Sequence, residues 1–189
     1  VRLLFSSKYR SSTFARLGFQ AIPKFSQDES VYWIHSVSVG ETQVARTLTA
    51  ELLAREPQAR VVVSTITETG QAVARKIPGV AATLYYPLDF SFLAARMLRR
   101  VQPKAVFIVE TDLWFNFLDQ ARVRNIPVFL VNGKISATTL KRYKQFPGLC
   151  RRLLAPFHYF FTQSETYLER IAEAGIPQDK LVVAGNVKL

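Results

Sequence analysis

With 189 residues, 49% of them hydrophobic and 21% charged, the chain can bury a full core and is too apolar to be disordered. A formal charge of +11 points to a polyanionic partner (nucleic acid, an anionic membrane or a phosphorylated ligand) or, more plainly, to a basic soluble surface. The lone Cys150 excludes an internal disulfide, no His/Cys cluster suggests a metal, and no run reaches the roughly 18 to 20 apolar residues of a membrane span.

The positive charge is unevenly spread. Residues 1–27 hold five Lys/Arg and no acid, and residues 99–155 hold eleven Lys/Arg against three acids. The first 19 residues mix Leu, Phe and Tyr with Arg and Lys. Such a segment can lie on an anionic membrane, or pack on the domain with its basic side in water. Residues 23–29 read as a linker, so 1–27 is expected to be a basic amphipathic segment and 28–189 the domain proper. The chain starts at Val1 rather than methionine. It reads as a piece of a longer protein, from which an upstream anchor could have been removed.

From Val31 strands and helices alternate. Strands are expected at 31–36, 60–65, 80–86, 104–109, 127–131, 157–162 and 180–183. Several are near-continuous apolar runs, as in parallel strands buried on both faces. Helices are expected near 41–55, 68–77, 91–101, 113–124, 137–154 with a break at Pro147-Gly148, and 164–174. Pro57, Pro78, Pro103, Pro127 and Pro177 stand just before strands, where they end helices without interrupting a sheet. The pattern implies a Rossmann-like, doubly wound parallel α/β sheet. The chain stops just after the last strand, a position that suits a cut between two domains.

In such sheets ligands bind beyond the carboxyl ends of the strands, and several turns there carry polar residues. Ser36-Val37-Ser38-Val39-Gly40-Glu41 runs from strand to helix. Gly40 permits a positive φ or a close ligand approach. Glu41 on the first helical turn is favoured as the anion, hence a base rather than an acid; taken alone, this motif favours the plainer reading of a first-turn helix charge. In the next turn, Thr65, Thr67, Thr69 and Gly70 suit hydrogen bonds to phosphate or sugar, although a Thr cap explains one of them. Glu110 and Asp112 follow an apolar strand beside Trp114 and Asn116, with Asp112 expected to cap the next helix. Asn132, Gly133, Lys134 and Ser136 follow another strand, where Lys134 can reach an anion as a point charge. Gln163 and Ser164 come later, with Ser164 a possible helix cap, and Asn186 and Lys188 close the chain.

No GxGxxG, GxxxxGK[ST] or GxSxG occurs, which removes the best signals for dinucleotide, P-loop and hydrolase chemistry. His35 reads as an interior strand residue and His158 as similarly core-like. The run from His158 to Phe161 is a strand rather than a nucleic-acid stacking platform.

The order SVSVGE, TxTxTG, ETDLWFN, NGKIS, QSE, GNVKL resembles the N-terminal domain of the 3-deoxy-D-manno-octulosonic acid (Kdo) transferase family. The likeness runs from Val31 to the last residue. The sequence departs from the family's more usual pattern at Asp112 (Glu), Phe115 (Pro) and Asn132-Gly133-Lys134 (Asn-Ala-Arg). Lys134 keeps the charge of the arginine but loses its bidentate fork. The resemblance implies an inverting glycosyltransferase of the two-domain GT-B type that uses no metal or cofactor, with Glu41 as catalytic base. It implies CMP-Kdo as donor, bound through a C-terminal domain absent from this chain. The implied acceptor is the phosphorylated, acylated precursor of lipid A, at the cytoplasmic face of the inner membrane of Gram-negative bacteria. The implied binding positions are Ser36, Ser38, Gly40, Thr65, Thr67, Thr69, Gly70, Glu110, Trp114, Asn116, Asn132, Lys134, Ser136, Gln163, Ser164, Asn186 and Lys188. The isolated domain is expected to lack activity. The alternatives are a non-catalytic Rossmann-like module for a phosphorylated ligand or anionic membrane, and a nucleotide-sugar epimerase of the same topology. A nucleic-acid partner is not expected.

Overall fold

The computed structural model describes residues 12–110 and 113–187; Asp112, Lys188 and the first 11 residues of the basic amino-terminal segment lie outside these residues. A π-helical turn, Ala15–Phe19, precedes an alternating series. It comprises β1 (Val31–His35), α1 (Val39–Arg55), β2 (Arg60–Thr65), α2 (Glu68–Ala74), β3 (Val80–Tyr85), α3 (Ser91–Val101), β4 (Ala105–Val109) and α4 (Phe115–Val123). It continues with β5 (Val128–Gly133), α5 (Ala137–Gln145), α6 (Pro147–Leu154), β6 (Phe157–Thr162), α7 (Glu165–Glu173), a 3-10 turn (Gln178–Lys180) and β7 (Leu181–Val183). All seven expected strands are present, and the expected helix break falls at Pro147, the first residue of α6.

The strands pair in parallel in the order β3-β2-β1-β4-β5-β6-β7. The chain builds outward from β1 in one direction, then returns and builds from β4 in the other. Because crossovers between parallel strands are right-handed, reversing direction puts the two sets of helices on opposite faces. The core divides accordingly. Trp33, Val62, Ile108, Leu130 and Phe160 pack with Met97, Phe117, Leu140, Leu154 and Ile171 from α3–α7. Ile34, Val61, Val63, Val109 and Val131 pack with Val44, Ala45 and Ala74 from α1 and α2.

Two local features differ from expectation. Helix α1 begins at Val39, with Ser38 as its N-cap, so Gly40 sits inside the first helical turn and not at a positive φ. A hydroxyl able to receive the Glu41 amide starts the helix before the glycine can form a turn. His158 is exposed rather than core-like. The β5–β6 pairing advances from Val128↔Phe157 to Phe129↔Tyr159, so His158 is the additional residue of a bulge and is turned out of the ladder.

Candidate functional site

The reversal of strand order lies between β1 and β4, where open α/β sheets hold their ligands. All of the predicted turns in the described residues emerge along this carboxyl edge: Ser36–Glu41 from β1, Thr67–Gly70 from β2, Glu110 from β4, Lys134–Ser136 from β5, Gln163–Ser164 from β6 and Asn186 beyond β7. Residues scattered over 150 positions of sequence therefore share one rim.

At the switch point the β1–α1 turn folds around the side chain of Glu41. Its Oε2 accepts the Val37 amide at 2.8 Å and its Oε1 accepts the Ser38 hydroxyl at 2.9 Å. The Ser38 Oγ also faces the Glu41 amide, at 3.4 Å. This is a variant of the capping box, in which the third helical residue reaches back to free amides. The carboxylate is half-buried, and burial raises its pKa above the ordinary glutamate value. The Val37 and Ser38 bonds and His35 act in the opposite sense, while the charge of Glu110 adds to the rise. The direction is opposite to that expected from the helix terminus alone, because desolvation outweighs the local donors. A raised carboxyl value suits a group that must accept a proton near neutrality.

Glu110 continues β4 by one residue and turns into the left-handed region, φ 62°, a conformation that costs a non-glycine residue about 1–3 kcal/mol. Its amide still donates to Val131 O at 2.8 Å, and its buried carboxylate meets Lys134 Nζ at 2.6 Å. Asn132, also left-handed at φ 56°, is fully buried. Its Oδ1 accepts the Val187 amide at 3.1 Å and its carbonyl accepts Gln163 Nε2 at 3.0 Å. The Nδ2 of Asn132 has no partner among the described residues. Two strained residues side by side at adjoining strand ends mark this as the place where the backbone is bent to aim side chains. Next to it, Lys134, Ser136, Thr139 and Tyr167 line a pocket of about 240 Å³.

Other predicted residues build the rim. Ser36 is buried with its Oγ 3.3 Å from Thr42 Oγ1. Thr65, fully buried, donates to Gln71 Oε1 at 2.8 Å. Thr67 caps α2 through the Gly70 amide at 3.0 Å and donates to Val37 O at 3.3 Å, tying the second turn to the first. Thr69 donates to Thr67 Oγ1 at 3.3 Å. A Cβ on Gly70 would lie 2.9 Å from Thr67 Oγ1 and 3.4 Å from Val37 O, so glycine here permits the two turns to touch. Ser136 caps α5 through the Thr139 amide at 3.0 Å. Ser164 holds the N-cap position of α7, but its side chain makes no capping bond; the helix amides of Tyr167 and Leu168 are taken by its carbonyl instead. Ser38, Gly40, Thr69, Ser136 and Asn186 are exposed, and Glu41, Lys134 and Ser164 are partly so. Thr67, Trp114, Asn116 and Gln163 are also partly exposed, so these residues together are the predicted ones that a ligand on the edge can meet.

Two contributors were missed in the sequence. Asp89, from the β3–α3 loop, accepts the amides of Asn116 at 3.2 Å and Phe117 at 3.0 Å, and its carbonyl accepts Asn116 Nδ2 at 2.7 Å. It therefore receives the first amides of α4 from a loop on the same face of the sheet; Asp112, expected to cap this helix, lies outside the described residues. Tyr86 stacks on His35 with ring centroids 3.7 Å apart and meets Trp114 at 5.8 Å. His35 Nδ1 lies 3.0 Å from Ser64 Oγ, which accepts Trp33 Nε1–H at 2.7 Å. His35 is thus interior, as expected, and belongs to a cluster with Trp33, Ser64 and Tyr86; its charge is felt at Glu41. The signal for both lay in Tyr86-Pro87-Leu88-Asp89, a strand end that carries no glycine or serine cluster.

Three kinds of comparison place this arrangement among known proteins. A family model for 3-deoxy-D-manno-octulosonic-acid transferase matches residues 11–189. The chain is 33% identical over 189 residues to the 3-deoxy-D-manno-octulosonic acid transferase of Chlamydia trachomatis serovar D, covering 99% of this chain and 44% of the relative. The transferase of Haemophilus influenzae is 31% identical over 184 residues, covering 97% and 43%. The chain thus spans less than half the length of these relatives. Among solved structures, a UDP-GlcNAc 2-epimerase from Neisseria meningitidis bound to UDP-GlcNAc superposes with a TM-score of 0.62 at 17% identity, over 84% of this chain and 47% of that one. A glycotransferase of kitacinnamycin superposes at 0.52 and 12% identity, over 84% and 52%. At these identities the likeness is one of fold: a Rossmann-like sheet corresponding to about half of each longer chain. The family match, by contrast, runs through every turn of the carboxyl edge, and the chain belongs to the 3-deoxy-D-manno-octulosonic-acid transferase family.

Proposed function

We propose that this chain is the acceptor-holding, base-bearing domain of an inverting glycosyltransferase that moves Kdo from CMP-Kdo to the lipid A precursor. The observation that carries the reading is the half-buried Glu41 carboxylate, fixed by Val37 and Ser38 at the switch point with its pKa raised. In the proposed step Glu41 takes the proton of the acceptor hydroxyl as that oxygen attacks the anomeric carbon from the face opposite CMP. The bond to the CMP phosphate breaks, carrying its electron pair away, and configuration inverts. General-base help of this kind is worth about 10² to 10⁴-fold.

Lys134 and Glu110 organise the neighbouring rim, with Lys134 half-exposed beside the Ser136–Tyr167 pocket as the cation for an acceptor phosphate. The donor is bound by the part of the protein that this chain does not span. No helix among the described residues is long and apolar enough to cross a membrane, and the proposed location is peripheral, at the cytoplasmic face of the inner membrane.

The reading is tested by titrating the chain with the phosphorylated, acylated disaccharide precursor. Binding is expected, weakening at least ten-fold as salt rises from about 50 to about 300 mM, because exposed charges are screened. The parent enzyme is expected to transfer Kdo to the same compound and the chain alone to transfer none. Binding that ignores salt, or a parent enzyme inert towards CMP-Kdo, contradicts the proposal.

A further inference from the structure

Helix α4 starts without a cap of its own. Trp114 stands at its N-cap position, where an indole has no oxygen to receive the free amides, and no acid lies in its first turn. The amides are received from another loop. Asp89 Oδ2 accepts Asn116 N at 3.2 Å, its Oδ1 accepts Phe117 N at 3.0 Å, and Asn116 Nδ2 donates to Asp89 O at 2.7 Å. The next amide, that of Leu118, is already bonded within the helix, to Trp114 O at 3.0 Å. One carboxylate therefore closes the first turn with charge-assisted bonds.

The loop that carries Asp89 is itself held, from the amino-terminal side. Strand β3 ends the sheet, and Gln20 pairs with Tyr85 as a further strand would. Its Nε2 donates to Tyr85 O at 2.7 Å and its Oε1 accepts Tyr85 N at 2.8 Å. Arg16, fully buried, donates from Nε to Tyr86 O at 3.1 Å, and its carbonyl accepts Leu88 N at 3.0 Å. Phe90 N then turns back to Leu88 O at 2.7 Å. The backbone is bonded on both sides of Asp89, and Tyr86, Pro87 and Leu88 are buried. A carboxylate on such a support is a fixed acceptor rather than a mobile surface charge.

What Asp89 holds lies on the carboxyl edge. The connection into α4 leaves β4 at Glu110, whose amide donates to Val131 O and whose carboxylate meets Lys134. One end of the connection is set by those bonds and the other by Asp89. Between them stands Trp114, partly exposed on the rim and 5.8 Å from the ring of Tyr86, which belongs to the loop of Asp89. Further along α4, Phe117, Leu118 and Ala121 are fully buried, so the helix stays packed without its cap. The cap governs the first turn and the ring that precedes it.

We propose that Asp89 is a positioning residue for the acceptor: it touches no reacting atom, and by closing the first turn of α4 it holds Trp114 on the rim in the attitude that receives the acceptor sugar. The proposal rests on the transferase reading for the identity of that ligand. Its signature is a loss of affinity and not of turnover. Glu41 is fixed by Val37 and Ser38, and neither bond involves Asp89, so acceptor that does bind meets an intact base. A purely structural loss acts otherwise. It lowers the fraction of folded enzyme, which reduces kcat and leaves KM unchanged.

Acrylamide quenching of tryptophan fluorescence in the 189-residue chain reads the ring directly, because the sequence has two tryptophans, Trp33 fully buried and Trp114 partly exposed. Asp89→Ala is expected to raise the quenching constant about two-fold or more at unchanged circular dichroism, as the uncapped turn loosens. Titration of the same chain with the phosphorylated, acylated precursor is expected to show binding weakened about ten-fold or more by Asp89→Ala. Asp89→Asn keeps an oxygen for the amides, and asparagine caps about as well as aspartate, so it is expected to stay within about three-fold of wild type. In the parent enzyme Asp89→Ala is expected to raise the acceptor KM about ten-fold or more with kcat within about three-fold. Asp119→Ala removes a carboxylate of the same helix that pairs with Arg122 away from the first turn, and is expected to change neither quenching nor affinity by as much as about two-fold. Unchanged quenching or affinity in Asp89→Ala, or a fall in kcat at unchanged KM, overturns the proposal. A wild-type chain that does not bind the precursor overturns both the proposal and the reading beneath it. Wild-type binding beside an inert parent refutes transfer alone, and the titration then decides the role of Asp89.

Discussion

Replacing Glu41 by glutamine in the parent enzyme is expected to lower kcat at least 10²-fold while acceptor binding changes less than three-fold, measured by single-turnover transfer and by titration. The amide retains an oxygen for the Val37 N–H that now binds Oε2 at 2.8 Å, so the turn keeps its shape. What it loses is the capacity to take a proton, and an interaction made only in the transition state appears in kcat and not in acceptor affinity. In the wild-type enzyme the acid limb of the rate profile is expected above the ordinary glutamate range, because burial raises the Glu41 pKa. Stability follows the same linkage with a defined sign. A carboxyl whose native pKa exceeds its unfolded value holds more protons when folded, so it destabilises progressively as the pH rises through the native value. Glu41→Gln removes this term. Its stability relative to wild type, followed by urea unfolding, is expected to improve from acid towards neutral pH.

Lys134→Ala is expected to destabilise the chain by about 2–3 kcal/mol in urea unfolding, with Lys134→Arg losing less than about 1 kcal/mol. Stripping one partner from a fully buried pair costs about 3–5 kcal/mol. Here the Glu110 side chain is 10% exposed but Lys134 is 43% exposed, and the open end lets water soften the loss. The substitution also has a functional sign. Glu110 already raises the Glu41 pKa, and Lys134 offsets that charge at 2.6 Å. Removing the lysine is expected to move the acid limb of the parent's rate profile upward, and Glu110→Gln is expected to move it downward. Movement of both in one direction would show that the limb belongs to a different group.

The framework of the site was legible because it follows from periodicity. Runs such as Ala105–Val109, apolar throughout, can only be strands covered on both faces, and seven of them separated by helical stretches dictate a doubly wound sheet. The edge was legible for the same reason: polar turns after those strands must gather where the strands end. What sequence could not give is the balance of forces at each residue. Glu41 is legible as a first-turn helix residue, but the sign of its pKa shift depends on how far the folded turn buries it, and on the charge of Glu110 from a strand end about 70 positions away. Asp89 was missed because its capping partners, Asn116 and Phe117, lie 27 and 28 residues away, beyond any local spacing rule. His158 was misread because a one-residue bulge reverses the face that alternation assigns.

The proposed role of Glu41 as acceptor of the hydroxyl proton is separated from a purely structural role by chemical rescue. In the parent enzyme Glu41→Ala removes the base and leaves space beside the Val37 amide for a small anion. Added formate is expected to restore Kdo transfer at least ten-fold in a saturable manner, tracking the ionised fraction of formate as pH is varied. Near-wild-type transfer by Glu41→Ala without formate would remove Glu41 from the proton transfer.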